Sequence, residues 1–410
     1  MIEMLPVITM VLFSLTVAVP EYLVNIPLLN IVYKVLYYSY ILFMLLDFVL
    51  LKKEKKYLKK EPLWVAVYFG MLVISTILFK GFNVPLLKSL LKTAVITILI
   101  INFLVTYKEL LIGIFLKIQV WVGGIGAVVN LILIILIPDG LAKTQITGEP
   151  MWLYGHKNSL FMYLMIAMLG SSILYYRKDK GKLSLHTYIL TGIVLVSGIL
   201  SNAGMVTVCS ILLLILMFAF GIKTIRNKIT MAKSIFIAVI INVMICLFRM
   251  QNVFDFIIVD LLGKNLSLTG RTEIWDLALE YTRQHPVFGV GYLFPGDLYE
   301  MIVLSTTHNW IIGILFHMGL IGIALWIFAL GHLIMHGRRY QRNYIMIILA
   351  IFMFVYMIQG ITENLCGPVL ELRCFVFGVL CCCLPCENNV HLVISNGAIR
   401  KRLEKEKRKV

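Results

Sequence analysis

Charge is scarce in this chain. Only 14% of its 410 residues are Asp, Glu, Lys or Arg, against about a quarter in soluble globular domains. A purely soluble fold is excluded on that ground. Apolar/polar alternation is also missing from the long hydrophobic stretches, which run continuously, so a membrane β-barrel is excluded as well. There is no internal repeat at a fixed period and no low-complexity linker. The opening "MIEMLPVITM" has neither the positive n-region nor the small-residue cleavage site of a secretory signal, so the first apolar segment is expected to be retained. Cysteine is present but not as a disulfide framework. Six of the eight lie at 366–386 and end in "CCCLPC" (381–386), with no His or Asp completing a metal-ligand spacing. We read them as a cluster without function at the cytoplasmic end of the last span.

What the chain does have is apolar length: 60% of residues are hydrophobic, and twelve segments are candidate membrane spans. They fall near 5–25, 30–51, 63–79, 85–106, 110–137, 158–176, 184–200, 204–222, 232–249, 309–334, 344–361 and 368–386. The expected fold is therefore all-α, a polytopic bundle of about 12 spans. It forms a single transmembrane domain over 1–386, followed by a basic cytoplasmic tail, 387–410. The net charge of +16 does not indicate nucleic acid, because of where it sits. With twelve spans, 25 Lys and Arg fall in loops on one face and 7 on the other. The basic runs are "KKEKKYLKK" (52–60), "RKDKGK" (177–182), "KTIRNK" (223–228), "RRYQR" (338–342) and the tail. This is the positive-inside pattern, which predicts a multi-pass protein of the cell membrane with both termini cytoplasmic. Membrane lipid is then the natural contact of the basic runs.

In this frame residues 250–308, between spans 9 and 10, are a large external loop. It contains "LTGRTEIWDLALEYTRQHPVFGVGY" (268–292), whose residues 270–284 read as an amphipathic helix. Ile274, Trp275, Leu277, Ala278 and Tyr281 share its apolar face, so the helix is expected to lie on the outer leaflet or cap the bundle. Pro286 ends it, and Gly289 and Gly291 permit a tight turn. Other polar elements gather on the same face: "GHKNS" (155–159), "SNAG" (201–204), Arg249, "STTHNW" (305–310) and "TENLCGPVLELR" (362–373). His156, Lys157, Arg249, Arg271, His308, Glu363 and Arg373 are thereby expected to share one outer-leaflet cavity.

These residues carry a resemblance. Gly270-Arg271, Trp275, His285-Pro286, Gly289, Gly291, His308-Asn309 and the pair Gly319 and Gly322 resemble the signature of the O-antigen ligase and Wzy-type polymerase superfamily, bacterial multi-pass membrane glycosyltransferases. "GHKNSLFMYL" (155–164) is similar to a second, looser element of that family. The likeness covers about 155–325, and the first 150 residues match only in hydropathy. One departure stands out: many members carry an arginine at the turn where this chain has Ser201-Asn202-Ala203-Gly204.

The resemblance implies glycosyl transfer from an undecaprenyl-diphosphate-linked glycan donor, on the outer leaflet, to a second lipid-linked glycan as acceptor. A repeat-unit flippase and a chain-length regulator are the partners it suggests. The chemistry needs positive charge where the lipid diphosphate leaves. The external loops hold no Asp-x-Asp metal-binding element, so neither metal nor cofactor is expected. Arginine suits phosphate oxygens geometrically. Arg271 is the leading candidate, with Lys157, Arg249 and Arg373 as further diphosphate ligands. A sugar hydroxyl needs a base, and His308, where the loop meets a span, is the candidate. Asn158, Trp275, Asn309 and Glu363 are read as supporting residues, with Glu363 orienting the base or pairing with Arg373. His285 is expected to order its turn and His317 to be packed. Polymerisation of repeat units for capsule, exopolysaccharide or O-antigen is the preferred reading, and ligase-like transfer of a finished glycan the alternative. A transporter or flippase is the alternative of another class, but it calls for polar residues at mid-membrane depth. Here the ionisable residues gather at span ends, and Lys34, Lys92 and Lys117 can snorkel.

Overall fold

A computed structural model describes residues 4–50, 60–144, 148–176, 182–261, 263, 270–303, 306–363 and 368–384. The expected tail 387–410, Cys386 and most of the basic stretches 52–60 and 177–182 lie outside the described residues.

The described residues are mostly helical. In order come α1 (Leu5–Ala18), α2 (Glu21–Val24), α3 (Pro27–Leu50), α4 (Lys60–Lys80), α5 (Val84–Thr106) and α6 (Lys108–Leu136). A small antiparallel sheet follows, which the sequence reading did not include: β1 (Ala142–Lys143), β2 (Pro150–Trp152) and β3 (Gly155–His156), with Met151 paired to both Ala142 and His156. Next are α7 (Leu160–Leu174), α8 (Leu185–Leu200), α9 (Gly204–Gly221), α10 (Lys223–Arg226) and α11 (Met231–Cys246). Last come α12 (Arg271–Gln284), α13 (Pro295–Ile302), α14 (Trp310–Arg339), α15 (Tyr344–Gln359) and α16 (Pro368–Cys383).

Each of the twelve apolar segments carries a helix over its described residues. Among the described residues seven are long and apolar enough to cross a membrane, and five apolar helices are shorter. The short ones have a physical place. α15 has 16 residues, about 24 Å of helix, less than the roughly 30 Å of a bilayer core. It is apolar on every side and nearly every residue is buried, so it forms the centre of the bundle. α3, in contrast, leaves Leu28, Ile31, Val32 and Val35 exposed, as a lipid-facing helix must. Several buried hydroxyls return to their own helix, as Ser14 Oγ does to the Met10 carbonyl (2.6 Å) and Thr76 Oγ1 to that of Leu72 (2.6 Å).

Three boundaries stand out, of which the second falls where it was expected. Pro20 ends the first helix early, so 5–25 divides into α1 and α2. Residues 184–222 form two helices joined by a turn at Ser201–Ala203, with Asn202 at φ 53°, and Gly198 lets α8 approach Val206 and Thr207 of α9. The third is a break inside α14: Gly319 has φ 58° and ψ −151°, outside the helical region.

That break explains the glycines of "HPVFGVGY". The turn after α12 inserts against it and exchanges backbone hydrogen bonds with it. Val290 N donates to Phe316 O (2.8 Å), Gly291 N to His317 O (2.9 Å) and Leu320 N to Pro286 O (2.9 Å). A Cβ at Gly319 would lie 2.6 Å from the Pro286 carbonyl oxygen, and one at Gly291 (φ 73°) would strike the α4 backbone at Thr76. Freed backbone groups deep in an apolar bundle must find partners, and the inserted turn supplies them. His317 Nδ1 seals it on Gly291 O (2.7 Å). His285 packs edge-on against Phe79.

Contacts between the connecting segments divide the bundle into two ends. Tyr22 N donates to Leu153 O (3.1 Å), Lys80 pairs with Asp297 (3.2 Å) and Trp310 N donates to Gly360 O (3.0 Å). The described residues of the segments 19–26, 81–83, 137–159, 247–309 and 360–363 thus gather at one end. Asp47 with Tyr107 (2.7 Å), and Tyr176 stacked on Tyr344, mark the other.

Candidate active site

α12 begins at Gly270, whose φ of 81° turns the chain so that Arg271 stands in the first helical turn. A cation there opposes the positive end of the helix dipole, so it needs an anionic partner. Glu363, four residues past α15, supplies it: Arg271 Nη2 donates to Glu363 Oε1 at 3.0 Å, while Nε donates to the Thr362 carbonyl at 2.9 Å. The two side chains are 15% and 14% exposed, at the edge of the interior. Burial pushes the Glu363 carboxyl above its ordinary range, and Arg271 beside it acts in the opposite direction.

His308 completes the group. Its Nδ1 lies 3.9 Å from Glu363 Oε2, and that nitrogen is buried without a hydrogen-bond partner among the described residues. The backbone of His308 is in the left-handed region, φ 48°, a conformation that costs energy and is tolerated where the surroundings impose it. Desolvation first, and then the charge of Arg271, push the imidazole pKa down to about 3. A neutral imidazole, an ion-paired carboxylate and a guanidinium therefore share one rim.

The neighbouring Asn309 explains why His308 is held so firmly. It is fully buried and caps α14, its Oδ1 accepting from Ile312 N (2.9 Å). Its Nδ2 reaches Asn242 Oδ1 (3.2 Å) and the Ile361 carbonyl (2.9 Å), joining α11, α14 and the end of α15. Trp275, also fully buried, donates from Nε1 to the Thr307 carbonyl at 3.1 Å, which locks α12 to the residue before His308. The apolar face of α12 corrects the expected one in part: Ile274, Trp275 and Ala278 are buried as anticipated, but Leu277 is exposed and Thr282 is buried. The helix caps the bundle and packs on α14.

The second polar element arrives on β3 and the single 3-10 turn after it. Asn158 hydrogen-bonds Glu363. Lys157 Nζ pairs with Glu149 Oε1 at 3.0 Å, and His156 Nε2 with Glu149 Oε2 at 2.7 Å. Burial raises the Glu149 carboxyl, but the hydrogen bonds from His156 and Lys157 outweigh it and leave the pKa low. Sequence reasoning missed Glu149, and its only signal was a lone acid shortly before the His-Lys pair.

The seven residues expected in one cavity do not all meet. Arg271, Glu363 and His308 converge, with His156 within electrostatic reach of the latter two and Lys157 beside it. Arg249 stands apart. Its Nη2 holds the Thr272 carbonyl (3.1 Å) and the Asp276 carboxylate, and its guanidinium lies over Trp275 (5.3 Å), so it clamps α12 in place. Nor does Glu363 pair with Arg373. Arg373 stacks over Tyr163 at 3.6 Å, on a different helix pair; the reason is proximity, because Arg271 reaches the carboxylate first from α12. Asn202, at the position of the missing turn arginine, is exposed.

The O-antigen ligase family model (Wzy_C) matches residues 187–327, from α8 into α14, a segment that contains Arg249, Arg271, Trp275, His308 and Asn309. No curated protein and no solved structure matches the chain. Over this segment the chain is similar to the O-antigen ligase family, which supports the resemblance to the O-antigen ligase/Wzy-type superfamily, and its long apolar helices are those of an integral membrane protein.

Proposed function

We propose that this protein polymerises undecaprenyl-diphosphate-linked oligosaccharide repeat units on the outer leaflet of the cell membrane, by glycosyl transfer without a metal ion. The observation that carries the reading is the Arg271–Glu363–His308 group, held at one end of the bundle within or beside the matched domain. In this reaction the acceptor hydroxyl attacks the anomeric carbon of the donor, the bond from that carbon to the diphosphate oxygen breaks, and the lipid diphosphate departs. Arg271, joined by Lys157 from the segment that carries His156, supports the charge that grows on the leaving oxygens. His308, neutral at physiological pH, takes the hydroxyl proton. Glu363 then faces an imidazolium at 3.9 Å and stabilises it. Arg271 also has a tuning role. Its charge is one of the causes that keep His308 a weak base, and an arriving diphosphate offsets that charge, strengthening the base once the donor is in place.

Transport fits the structure less well. A broken helix is present in α14, but its break is filled by the 286–291 turn and presents no ion or solute site. The matched family, O-antigen ligase, favours a second reading in which a finished glycan moves to another acceptor. One experiment separates them. Purified protein in nanodiscs is incubated with undecaprenyl-diphosphate-linked repeat units from cells lacking it. A ladder of chain lengths supports polymerisation, a single transfer to an added foreign acceptor supports ligation, and no product from either would overturn glycosyl transfer.

A further inference from the structure

A second polar cluster lies at the same end of the bundle. Arg373, on α16, is 8% exposed, and its guanidinium covers one face of Tyr163 at 3.6 Å. The Nη1 of Arg373 is buried without a partner among the described residues. At the phenol's hydroxyl, Tyr163 Oη donates to Glu21 Oε2 at 3.2 Å. The Tyr154 ring meets Tyr163 at 5.5 Å, and Tyr33 lies within electrostatic reach of Arg373. Tyr163, Glu21 and Tyr33 are only half-buried, so the cluster opens on one side while Arg373 and Tyr154 form its floor.

Two features tie it to the site already described. The Tyr22–Leu153 backbone bond pins α2 to the sheet. Gly155, at φ 77°, has no room for a Cβ because the Glu21 carboxylate occupies that space. Three residues further on, Asn158 bonds Glu363. The two clusters therefore touch one short segment, in which Gly155 and Asn158 are at most about 10 Å apart.

Building on the proposed glycosyl transfer, we infer that Glu21, Tyr163 and Arg373 form a saccharide subsite for an uncharged pyranose of the lipid-linked glycan, next to the transfer centre. The chemistry selects that ligand. A carboxylate accepts sugar hydroxyls, an unpartnered guanidinium nitrogen donates to them, and the surrounding phenol rings offer apolar faces to ring C–H groups. A diphosphate is disfavoured, since Glu21, bonded to the same phenol that Arg373 covers, places a negative charge in the cluster that repels it. Arg373 thus reads a sugar rather than sharing the leaving group with Arg271.

The test uses the full chain in nanodiscs. Thermal unfolding is followed with glucose, galactose, N-acetylglucosamine or inorganic pyrophosphate added, for wild type, Glu21→Gln, Tyr163→Phe and Arg373→Lys. At least one sugar should stabilise wild type, and that shift should vanish in Glu21→Gln. If Glu21→Gln fails to accumulate, Tyr163→Phe serves for the same comparison. With lipid-linked repeat units as substrate, the variants should raise KM about tenfold while kcat stays within about twofold. The inference is overturned if no sugar shifts wild type, if the shift persists in the variants, or if Arg373→Lys abolishes stabilisation by pyrophosphate. Sugar binding is read without turnover, so its failure is distinct from wild type failing to make a ladder.

Discussion

Arg271 has two jobs in the geometry: it gives one Nη to Glu363 and its Nε to the Thr362 carbonyl. A planar fork makes both contacts at once and lysine cannot. Arg271→Lys should therefore lose at least about tenfold in turnover while the protein still inserts and accumulates; near-normal chain growth would reduce the arginine to a surface charge. His308 allows a finer test. Glutamine keeps a hydrogen-bond donor but is no base, so His308→Gln should cost ~10²–10⁴-fold, and a variant retaining a tenth of the rate, by the same assay, would exclude base catalysis here. The pH dependence has a definite sign. The base works when neutral, and burial and Arg271 push its pKa down to about 3 in the free protein. Hence kcat/KM should stay level as pH falls through the ordinary imidazole value of ~6.5. Bound diphosphate offsets Arg271 and raises the pKa, so kcat should fall at a higher pH than kcat/KM. An acid limb of kcat/KM centred near 6.5 would contradict this electrostatic picture.

At the scale of elements, the inserted turn decides where α12 can sit. Pro286 to Gly291 exchange hydrogen bonds with the broken part of α14, and α12 hangs from that junction at its C-terminal end, with Trp275 and Arg249 fixing the end near Arg271. The φ and ψ of Gly319 are open to glycine alone, and a methyl there would press on the backbone of Pro286 and Val287. Gly319→Ala should accordingly cost upwards of about 2 kcal/mol. The measurement is the unfolding temperature of the detergent-extracted protein. A variant as stable as wild type would show that the junction tolerates a regular helix.

For the whole molecule, the open question is which end faces outward. In the described part of the opposite end stand Lys223, Arg226, Lys228, Arg338, Arg339 and Arg342, while the end with Arg271 is poorer in basic residues. We take the site end as external. Asp297, on α13, is partly exposed in its pair with Lys80. A cysteine placed there should react with an impermeant maleimide in intact cells; labelling that appears only after permeabilisation would invert the topology.

Much of this was written in the order of residues. The twelve apolar segments, the helix over 270–284, its Gly270 start and the tight turn at Gly289 and Gly291 all follow from local rules: hydropathy over one bilayer thickness, a 3.6-residue period, and backbone angles open only to glycine. Local rules also singled out Arg271 and His308, through the motif that surrounds them. The partners were another matter. That Glu363 belongs to Arg271 and not to Arg373, that Arg249 braces a helix, that Glu149 holds His156 and Lys157, and that Tyr163 with Glu21 forms a second cluster depended on how α7, α12, α15 and α16 pack. Such pairings join residues as much as 142 positions apart. No periodicity carries information over that separation, because a charge is satisfied by whichever opposite group the packed helices bring within reach.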